Sequence, residues 1–252
     1  MCNSKETIIG IDVNISDKYQ SVEMIKNWLE SEGQSRMFMC ANPHSLVQAR
    51  KDKKFRKALL ASNLTTPDGV GIVIASRILG GRVYERVTGS DIFWGLSEKL
   101  NTAGAKSYYF LGSTKLTLDK IQKKLAIDYP NIIFAGSYSP PYKEEFSEQD
   151  NDLMVEAINS ASPDVLWVGM TAPKQEKWIY QNRARLNVKF IGAIGAVFDF
   201  YVGNVKRSHP VFQKMGLEWL PRLLQEPRRL FKRNFVSSPL FLYLVLKQRF
   251  GK

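Results

Sequence analysis

From residue 36 to residue 194 the chain alternates short β-rich runs with longer stretches of helical spacing, and few folds accommodate that pattern. Arg36–Ala41 (RMFMCA), Lys106–Leu111 (KSYYFL), Ile132–Ser137, Asp164–Gly169 (DVLWVG) and Val188–Ile194 read as strands. Between them, Leu116–Tyr129, Asp150–Ser160 and Pro173–Arg185 read as helices, and Phe93–Leu100 as another. Upstream, Thr7–Val13 is a short β-rich run, and Tyr19–Glu30 has helical spacing at Val22, Ile25 and Leu29 before Gly33 stops it. Asn42-Pro43 turns the chain into a further helix, with Pro43 at an early position where its missing N–H costs nothing. The expectation is a Rossmann-like α/β fold, a mostly parallel sheet flanked by helices.

Such sheets bind ligands at the carboxyl ends of their strands. The loops there would be Cys40–Ser45, Thr65–Gly69, Gly112–Thr114, Gly136–Tyr142, Gly169–Gln175 and Gly192–Asp199. The stretch Leu64–Asp91 stands out, because two polar turns bracket one apolar helix. The first turn presents Asp68 between Pro67 and Gly69; the second carries Glu85, Arg86, Thr88, Gly89, Ser90 and Asp91. Pro-Asp-Gly is an ordinary turn signal, but Asp68 also opens a helix, and a single carboxylate there suits a general base. In Thr171–Glu176 a strand and glycine lead to Pro173 at a helix start, with Lys174 and Gln175 as a point charge and an amide for an anion; a capped surface helix is the alternative. The glycines of Gly192–Gly203 permit close backbone approach to a ligand, yet no GxGxxG is present, so a dinucleotide cofactor is not expected. Asp199 is read as a structural acid. The basic run Lys51–Lys54 reads as a solvated face.

Charge is concentrated at one end. Residues 206–252 hold eleven Lys and Arg against Glu218 and Glu226, net +9, while the rest of the chain is only +3. An anionic partner is therefore expected at the C-terminus. After Pro227, Arg229 and Arg233 fall on one helical face and Phe231 and Phe235 on the other; Arg222 extends the cationic side. The run Leu240–Leu246 (LFLYLVL) is too short to span a bilayer and suits a segment lying at an anionic membrane interface, the alternative being a helix packed on the body. The expected division is a catalytic core, 1–203, and a basic helical appendage, 204–252. Cys2 and Cys40 give no disulfide framework, and the N-terminus lacks a signal-peptide core, so a cytoplasmic protein is expected. Asp150-Asn151-Asp152 has the letters of a DxD metal motif but opens a helix, where acids favour the dipole. His44 and His209 show no metal-ligand spacing, so no metal is expected.

Asn42-Pro43, TPDGVGIV, ERVTGSD, APKQE, GAIGAVFDFYVG and GLEWLPRLLQEPRRLFKR occur in this order across nearly the whole chain. In that combination the sequence resembles the WecG/TagA/CpsF glycosyltransferases. The resemblance implies an inverting, metal-independent enzyme without a cofactor, moving a sugar from a nucleotide diphosphate to a polyprenyl-diphosphate-linked sugar for teichoic acid, common antigen or exopolysaccharide. It also implies an α/β core with a C-terminal appendage that completes the site and touches the inner face of the plasma membrane. Asp68 would be the general base; Asn42, Thr66, Arg86, Lys174 and Gln175 would line the pocket; Arg222, Arg229, Lys232 and Arg233 would contact the departing diphosphate. Cys40 stands where a threonine is usual, Lys232 where an arginine is usual, and Gly112-Ser113 replaces a more glycine-rich turn. N-acetylmannosamine, its uronic acid and glucose remain open as donor sugars, and oligomeric state is open. The competing class is a basic nucleic-acid- or membrane-binding module without transferase activity. Cations interleaved with Leu, Phe and Trp, and no nucleic-acid motif, argue against a nucleic-acid partner.

Overall fold

The computed structural model describes residues 4–104, 106–205 and 231–251, without the side chains of 232–234. The chain begins with a hairpin, β1 (Lys5–Ile8) and β2 (Ile11–Asn14), paired antiparallel. The expected single run at Thr7–Val13 is therefore two strands. It reverses at Ile9-Gly10, both at positive φ (41° and 82°), a turn that the apolar letters on either side conceal. There follow α1 (Lys18–Glu30), β3 (Arg36–Ala41), α2 (Pro43–Ala49), α3 (Lys53–Leu60), β4 (Leu64–Pro67), α4 (Val70–Leu79) and α5 (Gly89–Ala103). The second half of the body is β5 (Lys106–Gly112), α6 (Lys115–Asp128), β6 (Ile132–Tyr138), α7 (Glu148–Ala161), β7 (Val165–Gly169), α8 (Lys174–Asn182), β8 (Phe190–Ala193) and α9 (Val197–Tyr201). A wide helical turn, Lys232–Ser237, leads into α10 (Ser238–Phe250).

The main sheet has six strands in the order β4-β3-β8-β7-β5-β6, and every pairing is parallel. Because successive side chains on a strand point to opposite faces, each strand feeds two cores. Phe38, Tyr108, Phe110, Trp167 and Phe190 point to one face and pack with α1, α5, α6 and α9. There Phe93 and Tyr108 meet Trp167 edge-on at 5.4 and 5.7 Å. Met37, Met39, Leu111, Leu166, Val168 and Ile191 point to the other face, under α2, α3, α7, α8 and α10. Gly192 lies opposite Trp167 across β7 and β8, and a Cβ there would sit 2.4 Å from the indole ring. This glycine and Gly169, pressed on Phe198, make room for aromatic rings rather than for a ligand.

Helix starts are set by local side chains. Asn42, Thr88 and Ser147 form reciprocal caps with Ser45, Asp91 and Asp150, so the first acid of the DxD letters caps α7 as expected. Lys143, with Ser147, holds the Asp150 carboxyl down to about 2, and Asp152 pairs with Arg185 at 2.5 Å.

The run 240–246 divides by face. Phe241 and Val245 are buried against the body, whereas Leu242, Tyr243 and Leu246 are exposed. Gln248 fixes α10 to the hairpin, accepting from Ile9 N at 2.7 Å and donating to the Thr7 carbonyl at 2.9 Å. His44 Nδ1 lies 2.7 Å from Ser237 Oγ and ties α2 to the turn before α10. Among the described residues no helix is long and apolar enough to cross a membrane.

Candidate active site

A cleft of about 1840 Å³ runs along the carboxyl ends of the strands, and all six loops expected there contribute to it. Asp68 reaches it by a short chain of local causes. β4 pairs with β3 through Ala41 and Pro67, and Asp68 N continues the ladder with a 2.7 Å bond to the Ala41 carbonyl. Gly69 then adopts φ +106°, which side-chain-bearing residues resist, and turns the chain sharply into α4. The Asp68 side chain is left half-buried in the cleft wall. Val87 N donates to the Pro67 carbonyl at 2.9 Å and holds the second polar turn alongside, so half-buried Arg86 lines the same cleft. Two residues distant in the sequence pattern thus share one wall.

Asn42 also lines the cleft. Its Oδ1 accepts from Ser45 N at 3.0 Å, so capping α2 orients the amide and leaves its NH₂ as the donor available to a ligand. Cys40 lies beside it; burial first, then the Asp68 charge, pushes its thiol well above the usual range, so it stays protonated. Thr66 is not brought to the cleft: it is fully buried, with its Oγ1 3.7 Å from the Cys40 sulfur.

The β7–α8 turn is built differently. Gln175 is 5% exposed, and its Oε1 accepts from Met170 N at 3.3 Å and Gly195 N at 3.0 Å. Its Nε2 donates to Glu176 Oε1 at 3.0 Å. Gln175 lines the cleft as expected, and its amide also binds together the loops after β7 and β8. Lys174 lines the cleft but donates to the Lys143 carbonyl and sits 3.7 Å over the Phe146 ring, securing the 139–146 loop. Burial lowers its pKa.

Sequence reasoning assigned no role to Glu176. It is 4% exposed, its Oε2 has no hydrogen-bond partner among the described residues, and burial pushes its carboxyl up. An acid in the first turn of a helix reads as an exposed dipole partner, and nothing in the local letters distinguishes that from a buried one. Asp199, read as structural, accepts from Asn204 Nδ2 at 3.2 Å and also lines the cleft. Arg222 and Arg229 lie outside the described residues, as do the side chains of Lys232 and Arg233. Among the described residues no group of three or more His, Cys, Asp or Glu is placed to hold a metal.

The sequence model of the Glycosyl transferase WecG/TagA/CpsF family matches residues 6–252. The chain belongs to this glycosyltransferase family. It is 31% identical to an N-acetylglucosaminyldiphosphoundecaprenol N-acetyl-beta-D-mannosaminyltransferase of Bacillus subtilis (strain 168), over 98% of this chain and 93% of that protein. A protein of the same name from Bacillus spizizenii (strain ATCC 23059 / NRRL B-14472 / W23) is 30% identical over 82% of this chain and 77% of its own length. One from Staphylococcus aureus (strain MW2) is 26% identical over 98% of this chain and 94% of its own. The family match continues through the basic C-terminal segment, so the segment belongs to the same unit of descent as the cleft.

Proposed function

We propose that this protein transfers an N-acetylmannosamine-type sugar from a nucleotide diphosphate to a polyprenyl-diphosphate-linked sugar, with inversion and without a metal ion, as a step in teichoic acid or exopolysaccharide synthesis. It works at the inner face of the membrane, to which its basic end binds. The observation that carries the reading is Asp68, half-buried at the carboxyl end of β4 in a cleft that Arg86 and Asn42 share.

In this mechanism the Asp68 carboxylate takes the proton from the acceptor hydroxyl. The resulting oxygen attacks the anomeric carbon from one face while the bond to the donor diphosphate breaks on the other. The nucleoside diphosphate leaves carrying the negative charge. Arg86 in the cleft, with Arg222, Arg229, Lys232 and Arg233 from the net +9 tail, supplies the opposing charge. Charge-assisted, bidentate guanidinium contacts suit that task. The relatives' names specify a β-linked product, which an α-linked nucleotide sugar reaches by inversion.

The test is a panel of UDP-sugars with a lipid-diphosphate-linked N-acetylglucosamine acceptor, read by product mass and anomeric configuration. A single β-linked hexosamine added, unaffected by chelator, is expected. Transfer to no acceptor, a retained anomeric configuration, or activity abolished by chelator and restored by a divalent ion would each refute part of the reading.

A further inference from the structure

One part of the cleft wall is apolar and open. Val70 and Ile74, one turn apart on α4, are 42% and 46% exposed, and both line the cleft that holds Asp68. The opposite side of α4 buries Ile72, Val73, Ala75 and Ser76, so these two residues are not needed for the core. α10 packs against α4 and continues the strip. Its Leu242 lines the same cleft at 44% exposure, and Leu246, one turn on, is 40% exposed. Single exposed apolar residues are ordinary on any protein surface. A strip shared by two packed helices and continuous with a reaction cleft is the mark of an apolar partner. The same Asp68-Gly69 turn fixes both the carboxylate and the first turn of α4, so a ligand presenting a hydroxyl to Asp68 has this strip within its reach.

Resting on the transferase reading above, we infer that the seam between α4 and α10 receives the first isoprene units of the lipid-linked acceptor, with Val70, Ile74 and Leu242 as its contacts. The relatives' acceptors are diphosphate-linked to undecaprenol, a wholly apolar chain that must leave the cleft beyond its diphosphate. A seam of this kind measures the acceptor's lipid and selects a polyprenyl diphosphate over a free sugar diphosphate. It also gives the exposed half of the 240–246 run a function distinct from docking on a bilayer.

The full-length protein is assayed with N-acetylglucosaminyl diphosphates bearing one, two or three isoprene units, each below its micelle-forming concentration. For the unaltered protein, kcat/KM rises with chain length, by about tenfold or more from the shortest to the longest, as expected for burying successive methylenes. In Ile74→Ser and Leu242→Ser that ratio flattens towards unity. Thermal melting checks each variant, and Val70→Ser replaces either one that fails to fold. A flat dependence in the unaltered protein, or an unchanged ratio in the variants, overturns the inference. So does an unchanged ratio accompanied by lost sedimentation with acceptor-free anionic vesicles, which would make the strip a bilayer contact. An unchanged ratio with a lost dimer in sedimentation velocity would assign the strip to a second copy and overturn it equally. No transfer by the unaltered protein at any chain length takes down the transferase reading and this inference together.

Discussion

Two strand-to-helix turns line the same cleft and treat their polar residues in opposite ways. In the β4–α4 turn, Gly69 accepts a strained backbone so that Asp68 stays half-exposed. In the β7–α8 turn, Gln175 and Glu176 are buried, and the glutamine amide is committed to Met170 N, Gly195 N and Glu176. The first turn leaves a carboxylate open to the cleft; the second ties two loops together. An active site needs both, because a group can be pre-aimed only if the loops around it do not move.

Substitutions can break this contrast. The largest effect is expected from Asp68→Asn, which should lower transfer by about 10²-fold or more while the melting temperature stays near that of the parent. A turnover assay with the lipid acceptor and a thermal melt decide it; full activity would remove the general base. Gln175→Ala should act mainly on stability, because it leaves the part-buried N–H groups of Met170 and Gly195 without their acceptor, at about 1 kcal/mol each. Urea denaturation reads that cost, and an unchanged midpoint would mean that the clamp is dispensable.

Gly69→Ala comes next. A Cβ at this position meets nothing within 4 Å, so its cost is backbone strain alone, about 1–3 kcal/mol. If the strain moves Asp68, turnover should fall more than the denaturation midpoint suggests.

Glu176→Gln should have the smallest effect, and its sign depends on pH. Burial raises the native carboxyl above its ordinary 4.5, so the native protein keeps a proton that the unfolded chain releases once pH exceeds that value. Native stability therefore falls as pH rises from 4.5 to the raised native pKa. The glutamine variant lacks this slope, so it should gain on the parent through that window and hold the gain above it. Melts at stepped pH check this, and a gap that shrinks as pH rises would contradict it.

Much of the scaffold was legible in the letters. RMFMCA and DVLWVG are apolar at nearly every position because strands in a parallel sheet are covered on both faces, and both proved to be central strands. The six loops expected to gather at one edge do so. The hairpin at Lys5–Asn14 was read as one run, Thr7–Val13, because its reversal at Ile9-Gly10 begins with Ile9 at φ 41°, a residue that carries no turn signal. At the site, Asp68, Asn42 and Arg86 were found together, since turn chemistry and caps are local. Thr66 was not separable from them, because a strand residue beside a loop gives no indication of whether it faces the cleft or the core.

The sequence by itself determined the alternation of elements, the helix starts, the glycine-built turn at Asp68 and the segregation of positive charge, all set by interactions within a few residues. Tertiary structure alone decided which polar groups face the cleft. Burial of Glu176, the internal commitment of Gln175 and the division of the 240–246 run into packed and open faces depend on neighbours far away in the chain. The physical reason is that desolvation and hydrogen-bond satisfaction are properties of an assembled environment, and no local pattern of residues encodes them.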